Sequence, residues 1–392
     1  GLDIYNTNFW STPPAVSVSD ITFLRTVTHT LTNLFPRNLE ISFLRCRLEG
    51  GFNQPLSTDP DDIWSLAFTE CVLLGTNSAR AGIVTMVADT VHGIASWSTI
   101  EVSVTDCLFT GSGLRLRGAP RGLVARNRME GCDVGLAVVD VDLTIEENTF
   151  RSCATGMSLM GSRADIVRND LRQGGTGIAV NTVIDLNLIS NTVIDMTGRG
   201  IDCLEVVYLV ADSNVVGHCS GGGVKLDWPY SYDRAAIRSN TVFANGGSGF
   251  ELMGVANRFV VLRNNIIAFN DGWGLAFEDG VAVNVICNDW YDNANGAVSR
   301  GSVGQTDRQV DPQFCNVAES EVSLNSASAL AADSVCGRIG AKGIGCGVTP
   351  TLLQALSVAA GETGIVVRWQ FGSVFPVDTW VERGGTEVGP WS

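Results

Sequence analysis

Three charged residues, Asp202, Lys225 and Glu251, lie at intervals of 23 and 26 residues and could carry acid–base chemistry. In inverting glycosidases two carboxyl groups roughly 6.5–9.5 Å apart serve as general acid and general base. A lysine between them can neutralise a uronate or, with a lowered pKa, act as the base of a lyase. This set predicts a saccharide site if the chain stacks the three residues above one another, because two strand spacings, ~9.6 Å, then separate the carboxylate backbones.

An insertion with aromatic residues follows Lys225, in the stretch "LDWPYSYDR". Flat aromatic faces stack well on sugar rings, and an insertion that lengthens one repeat is typical of a binding loop. Carboxylates, a histidine and an arginine nearby complete the candidate substrate-binding group. Its members are Asp227, Trp228, Tyr230, Tyr232, Arg234, Glu278 and His218.

The same charged column also has a structural explanation. Lysine is rare in this chain, since Lys225 and Lys342 are the only two lysines among 26 basic residues. On stacked strands like charges repel and alternating charges attract by about 0.2–1 kcal/mol per pair. An acid–base–acid column would therefore stabilise consecutive rungs without chemistry. The structural, saccharide-binding and catalytic interpretations are all open at this point.

The elements that would position these residues are visible as a repeat. Each unit holds an asparagine, a glycine eight or nine residues later and then alternating apolar residues, and the units recur every 21–26 residues. The repeated asparagines are Asn127, Asn148, Asn169, Asn191, Asn214, Asn240, Asn265 and Asn288. Cysteine takes the same register upstream, at Cys46, Cys71 and Cys107. About eleven units are visible in this way.

The composition of the units favours coils built from short strands and turns. They lack a leucine-rich pattern and a period of 3.6 residues, and Gly and Asn punctuate them. Stacked coils place equivalent residues ~4.8 Å apart, so the asparagines can bond one another's amides in a ladder. The first and third residues after each repeat glycine are predicted to face inward, and the second, which includes Lys225, outward.

This pattern resembles the right-handed parallel β-helix proteins of the pectin-lyase-like superfamily, over about residues 38–325. The stretches "DPQFCN" and "SVCGRIGAKGIGCG" resemble the closing segment of secreted bacterial members. The resemblance implies an all-β solenoid of eleven or more coils, whose enzymes act on an outward sheet with carboxylates and basic residues. The chain departs from the lyase motifs, because it has no aspartate cluster suited to calcium and no arginine in the expected rung.

Four segments are predicted. Residues 1–37 form an N-terminal segment or cap without a recognisable capping helix, residues 38–325 the β-helix, and residues 326–348 a cysteine-containing closing segment. Residues 349–392 predict two strands around a turn and then a third strand, and resemble the opening of a fibronectin-like or FlgD-like sandwich. Such a sandwich needs about 100 residues, so we interpret this last segment as incomplete.

Two groups among the eleven cysteines could form disulfides. Cys132 and Cys153 would lie on adjacent coils, close enough for a disulfide, but buried thiols that pack as small apolar groups are the favoured interpretation. The other group clusters near the C-terminal end of the coils and predicts two disulfides, and hence an oxidising compartment. Its members are Cys287, Cys315, Cys336 and Cys346, and their pairing stays open.

Composition narrows the possible partners. The net charge of −15 argues against nucleic acid and anionic membranes. No apolar run approaches the roughly 20 residues of a membrane span, and no signal peptide is recognisable. The stretch "STDPDDIW" offers Asp59, Asp61 and Asp62 as oxygen ligands for calcium but lacks the spacing of a calcium loop, so no cofactor is predicted.

We therefore predict a secreted or cell-surface bacterial β-helix protein with a structural, adhesive or carbohydrate-contacting role. Its partner would be a polysaccharide or cell-surface glycan. Further copies of the chain are a second predicted partner, because solenoid ends without a cap expose unpaired strand edges that can build filaments. The alternative is a polysaccharide lyase or glycoside hydrolase that acts around residues 200–280 with Asp202, Lys225 and Glu251 as catalytic residues.

Overall fold

A computed structural model shows the chain as a stack of coils. The residues that it describes are 3–4, 15–23, 27–29, 40–53, 65–118, 121–140, 142–161, 163–228, 234–254, 258–279, 281–331, 335–347, 355–361, 364–370, 380–383 and 386–390. All regular elements among these residues are β-strands. Within the described ranges there is also no helix long and apolar enough to cross a bilayer.

Each coil has three walls, and each wall is a parallel ladder formed with the equivalent strands of neighbouring coils. Wall one comprises Asp3–Ile4, Val27–His29, Phe52–Asn53, Val134–Val139, Thr155–Met160, Val224–Trp228, Phe250–Gly254, Trp273–Phe277 and Gly296–Val298. Wall two comprises Ala15–Ser19, Glu40–Leu44, Ser65–Thr69, Arg121–Ala125, Asp142–Glu146, Arg163–Val167, Arg234–Arg238, Arg258–Arg263 and Val281–Ile286.

Wall three contains the shortest strands, and five long strands continue around a corner from one wall to the next. Wall three comprises Thr22–Phe23, Arg47–Leu48, Arg128–Glu130, Thr149–Arg151, Asp170–Arg172, Thr192–Ile194, Val215–Gly217, Thr241–Phe243, Ile266–Ala268 and Asp289–Tyr291. The long strands are Val72–Val87, Thr90–Thr105, Leu108–Arg117, Thr176–Ile189 and Ile201–Asp212.

The predicted asparagine ladder is present at the bend between walls two and three. The side-chain oxygen of Asn169 accepts hydrogen bonds from the backbone N–H (2.9 Å) and the side-chain amide (3.0 Å) of Asn148. The same pattern continues through every rung from Asn127 to Asn288. The residue before each rung takes a positive φ near 55°, as in Glu147 and Arg168, which turns the chain and aims the next side chain inward.

The inward and outward faces follow the predicted alternation. Leu136 and Val138 are buried while Ala137 between them is half-buried, and the interior forms one continuous apolar column from Ile41 to Trp290. This burial is the main stabilising contribution, because parallel β-coils gain little from local contacts and bury apolar surface between neighbouring turns.

The solenoid has about 13 turns, two more than the repeat indicated. One of the additional turns carries buried Asp89 as its rung, whose Oδ1 accepts the backbone N–H of Cys71 at 2.7 Å. The other lies at the N-terminal end, where Ala15–Ser19 pairs in parallel with Glu40–Leu44. Parallel pairing thus extends into the segment 1–37.

Residues 314–331 and 335–347, which include part of the predicted closing segment and carry that name from here on, pack on the outside of wall three. The strands Phe314–Asn316, Glu321–Asn325 and Ile344–Cys346 of this segment form a small separate sheet. Two disulfides form as predicted: Cys287–Cys336 ties this segment to the coils, and Cys315–Cys346 lies within it. Cys132 and Cys153 are buried free thiols, as the favoured interpretation had them.

The C-terminal segment contains two antiparallel hairpins. Ala355–Gly361 pairs with Gly364–Gln370, in agreement with the two strands predicted there, and Trp380–Arg383 pairs with Thr386–Pro390. The domain boundaries proposed from the sequence stay predictions.

Candidate functional site

The outer face of wall one brings the predicted charged residues into one column. Asp202 pairs in register with Lys225, and Lys225 with Glu251, on three consecutive strands. Small neutral residues occupy this column on either side, Ala179 before it and Ala276 after it. The column is therefore an isolated charged patch on a flat sheet surface.

The lysine finds its partner within its own strand. Lys225 Nζ lies 3.1 Å from Asp227 Oδ2, two residues along, and the two side chains are 26 % and 30 % exposed. Residues two apart on a strand share a face, which explains this pairing. Among the described residues, Lys225 has no ion pair with Asp202 or Glu251. The predicted attraction between alternating charges on successive strands is therefore not made through direct contacts.

Glu251 pairs with an arginine that the sequence pattern did not single out. Arg199 Nη2 lies 2.9 Å from Glu251 Oε2 across the intervening coil, and both side chains are largely buried. This contact passes over Gly222, where an added Cβ would lie 3.2 Å from Arg199 Nη1. The three consecutive glycines 221–223 could have indicated this contact in the sequence, because a coil without side chains at this point lets side chains of the two flanking coils meet.

Alanine at Gly222 is expected to destabilise the protein by about 2 kcal/mol, since φ is +111° there and the methyl group meets Arg199 and the carbonyl of Ser248. Equilibrium guanidinium unfolding measures this loss. Gly131→Ala is the matched control, because Gly131 has φ +59° and open space around it. Equal losses in both variants would show that the backbone, not the Arg199–Glu251 crossing, constrains Gly222.

The other predicted site residues that the structure describes lie in three places: at the end of wall one, on wall two and at the bend after wall three. Glu278 caps the end of a neighbouring strand, where its Oε2 accepts the backbone N–H of Gly254 at 2.9 Å. Arg234 is exposed on wall two, in register with Tyr208 and Phe259. The backbone of Trp228 ends a wall-one strand beside Gly254. The predicted residues outside the described ranges are Tyr230, Tyr232, Asp59, Asp61 and Asp62.

His218 does not join the charged column. It is a left-handed bend residue, φ 53°, after wall three. Its Nε2 lies 2.9 Å from the carbonyl oxygen of Val317 in the closing segment, and its ring packs edge-on against Phe243. The bend directs the side chain away from wall one, so His218 secures the closing segment instead of facing Lys225.

Comparisons with known proteins agree with this architecture. Residues 161–307 match the family model for the right handed beta helix region, and residues 75–228 match the model for the periplasmic copper-binding protein NosD. No curated protein matches the chain.

Solved structures of one enzyme show a similar backbone. The periplasmic alginate epimerase AlgG is 13 % identical, with a TM-score of 0.48 over 71 % of this chain and 78 % of that chain. A double mutant of AlgG is also 13 % identical, with a TM-score of 0.47 over 74 % and 77 %. The parallel coils and their ladder form a β-solenoid, and residues 161–307 of this solenoid are similar to the right handed beta helix family.

Proposed function

We propose that this chain is an extracellular or periplasmic β-helix protein that contacts polysaccharide through the charged patch of wall one. The observation that supports this function is the arrangement of Arg199, Asp202, Lys225, Asp227 and Glu251. Ion pairs join Arg199 to Glu251 and Lys225 to Asp227, and Asp202 lies in register beside Lys225, on a flat face between small neutral residues. Fixed polar groups on a rigid scaffold can hydrogen-bond sugar hydroxyls with little ordering cost.

The location is supported by the covalent chemistry of the chain. Disulfides persist in oxidising compartments such as the periplasm and the cell exterior, and two are present here. The matching NosD model also describes a periplasmic protein.

Copper, which the name of that model mentions, is not carried over to this chain. No group of three or more His, Cys, Asp or Glu side chains suited to a metal ion occurs among the described residues. The donor set of these residues does not fit a copper centre, so we assign no role to the metal.

Lys225→Ala is expected to weaken polysaccharide binding at least tenfold, because it leaves the carboxylates of Asp202 and Asp227 without their neighbouring cation. Isothermal titration against a panel of neutral and acidic polysaccharides measures the effect. Arg126→Ala is the control, since it removes an exposed ion pair with Asp106 far from the patch. Unchanged affinity in Lys225→Ala, or no binding by the wild type, would refute the proposed site.

Catalysis is the second proposal, and the register of Asp202 and Glu251 two strands apart favours it. An enzyme would release reducing ends or unsaturated uronates from one polysaccharide of the panel and lose this activity in Glu251→Gln. If the wild type binds a polysaccharide but forms no product from it, the catalytic proposal is refuted and only the binding function is retained. End-to-end association into filaments stays a prediction that electron micrographs of the purified chain test.

A further inference from the structure

The outer face of wall two changes its charge in three consecutive coils. Arg234, Arg238 and Arg263 lie on two neighbouring strands there, with Asp212 on the strand before them as the one acidic residue of these positions. On the same wall, the outward residues of the preceding coils include more acidic than basic side chains. Their charged residues are Asp142, Glu146, Arg163, Asp165 and Asp185. A local basic face thus lies on a chain whose net charge is −15.

Two aromatic rings border this basic face. Tyr208, Arg234 and Phe259 form one column across adjacent strands, and the two aromatic side chains are 51 % and 52 % exposed. Rings this exposed are uncommon on a wall whose other outward residues are mostly polar. The rings stand two strands apart, ~9.6 Å, with an arginine between them.

The floor of the face is flat. Val210, Ala236 and Val261 form the next outward column, in register, and all three are half-buried. Short side chains in the middle and long ones at both borders make a shallow trough that crosses the coils.

The guanidinium groups keep donors for a ligand. Arg238 uses Nε for Asp212 at 2.8 Å, and exposed Arg263 uses Nε for its neighbour Asn264 at 3.1 Å. Arg234 is exposed and makes no ion pair with a described residue. An arginine fork binds carboxylates with two parallel hydrogen bonds.

We propose that this basic face, defined by Tyr208, Arg234, Arg238, Phe259 and Arg263, is a second polysaccharide-binding surface and that its ligand is a polyuronate. The carboxylates of such a chain complement the arginines, and its sugar rings fit the exposed aromatic faces and the flat floor. A neutral glycan would leave the arginines unused. The inference rests on the proposed function only for the class of ligand, since the charged patch lies on a different wall.

The test measures binding of polygalacturonate and of neutral dextran to the full chain by isothermal titration. The double variant Arg234→Ala/Arg263→Ala is expected to bind polygalacturonate at least tenfold more weakly and to leave dextran affinity unchanged. Arg163→Ala, an exposed arginine of the same wall paired with Asp185, is the matched control and is expected to change affinity less than twofold. Phe259→Ala is expected to weaken binding at low and high salt alike, because stacking is not screened.

The variants separate this inference from the proposed function. Loss of polygalacturonate binding in the arginine double variant but not in Lys225→Ala would support the basic face, and the wall-one site is then tested by the effect of Lys225→Ala on the other polysaccharides of the panel. The reverse result, or a wild type that does not bind polygalacturonate, would overturn the basic face. Equal affinity for a single-stranded oligonucleotide would also overturn it, since the arginines would then attract any polyanion.

Discussion

Replacing Asp89 by asparagine is expected to raise the free energy of unfolding by about 4 kcal/mol at pH 8 and to change it little below pH 4. Asp89 stands in the ladder at a position that asparagine takes in later coils, and it is 1 % exposed. Its Oδ1 accepts the N–H of Cys71, whereas its Oδ2 has no hydrogen-bond partner in the part of the chain that the structure describes. In Asn127 the equivalent atom is a nitrogen that donates to the carbonyl of Val104 at 2.8 Å.

The pH window follows from the direction of the pKa shift. Burial raises the pKa of the Asp89 carboxyl from 3.8 to about 7, so the folded state holds this proton more tightly than the unfolded chain. The wild type therefore loses stability as pH rises from about 4 to 7, and the loss is complete above pH 7. Asparagine does not ionise, so the variant escapes this loss.

Guanidinium unfolding followed by circular dichroism at pH 4, 6 and 8 checks the prediction. Asp106→Asn is the control of opposite sign, because the side chain of Arg126 lowers the pKa of Asp106 and stabilises its charged form. The variant retains some pH dependence from Asp289, which is buried and has a pKa raised to about 7 by the same desolvation. A gain of equal size at pH 4 and pH 8 would refute the ionisation argument.

The sequence predicted the fold because its signal is periodic. Asn148 and Asn169 recur at one bend, and alternation after each repeat glycine specifies which side chains point inward. Asp89 was not predicted as a member of the ladder because its unit has aspartate in place of the repeated asparagine. The neighbouring recognised positions, Cys71 and Cys107, are therefore 36 residues apart. That gap is two short coils, and its length was the available signal.

For the candidate site, the sequence predicted which residues lie in register on neighbouring strands but not which side chains contact one another. Strand pairing brought Asp202, Lys225 and Glu251 together as the repeat implied, but the partners depend on the path of side chains between coils. Glu251 reaches Arg199 because Gly222 leaves room. His218 contacts Val317, 99 residues away in a segment that does not repeat, and periodicity carries no information about such a contact.

Asn169→Ala is expected to lower the free energy of unfolding by about 4 kcal/mol. The asparagine amide donates to the carbonyl of Ile145 at 2.8 Å and to Asn191 at 3.0 Å, and its oxygen accepts from Asn148. Alanine removes the side-chain acceptor of the Asn148 N–H and a donor to the Ile145 carbonyl, whereas the oxygen of Asn191 keeps the backbone N–H of residue 169. Each buried group left unsatisfied costs about 1–3 kcal/mol. Equilibrium unfolding and hydrogen exchange of the Asn148 amide measure the loss, with exposed Asn284→Ala as the control.

Two further substitutions at Asn169 identify the chemistry that a rung requires. Asn169→Cys is expected to lose less stability than alanine, because the sulfur of Cys71 accepts the N–H of Cys46 at 3.4 Å in the first coils. Asn169→Asp is expected to fold well at pH 4 and to be destabilised at pH 8, because a buried carboxyl serves as a rung only while it keeps its proton. If the aspartate variant proved equally stable at both pH values, the ladder would tolerate a buried charge, and the stabilisation expected of Asp89→Asn would lose its physical basis.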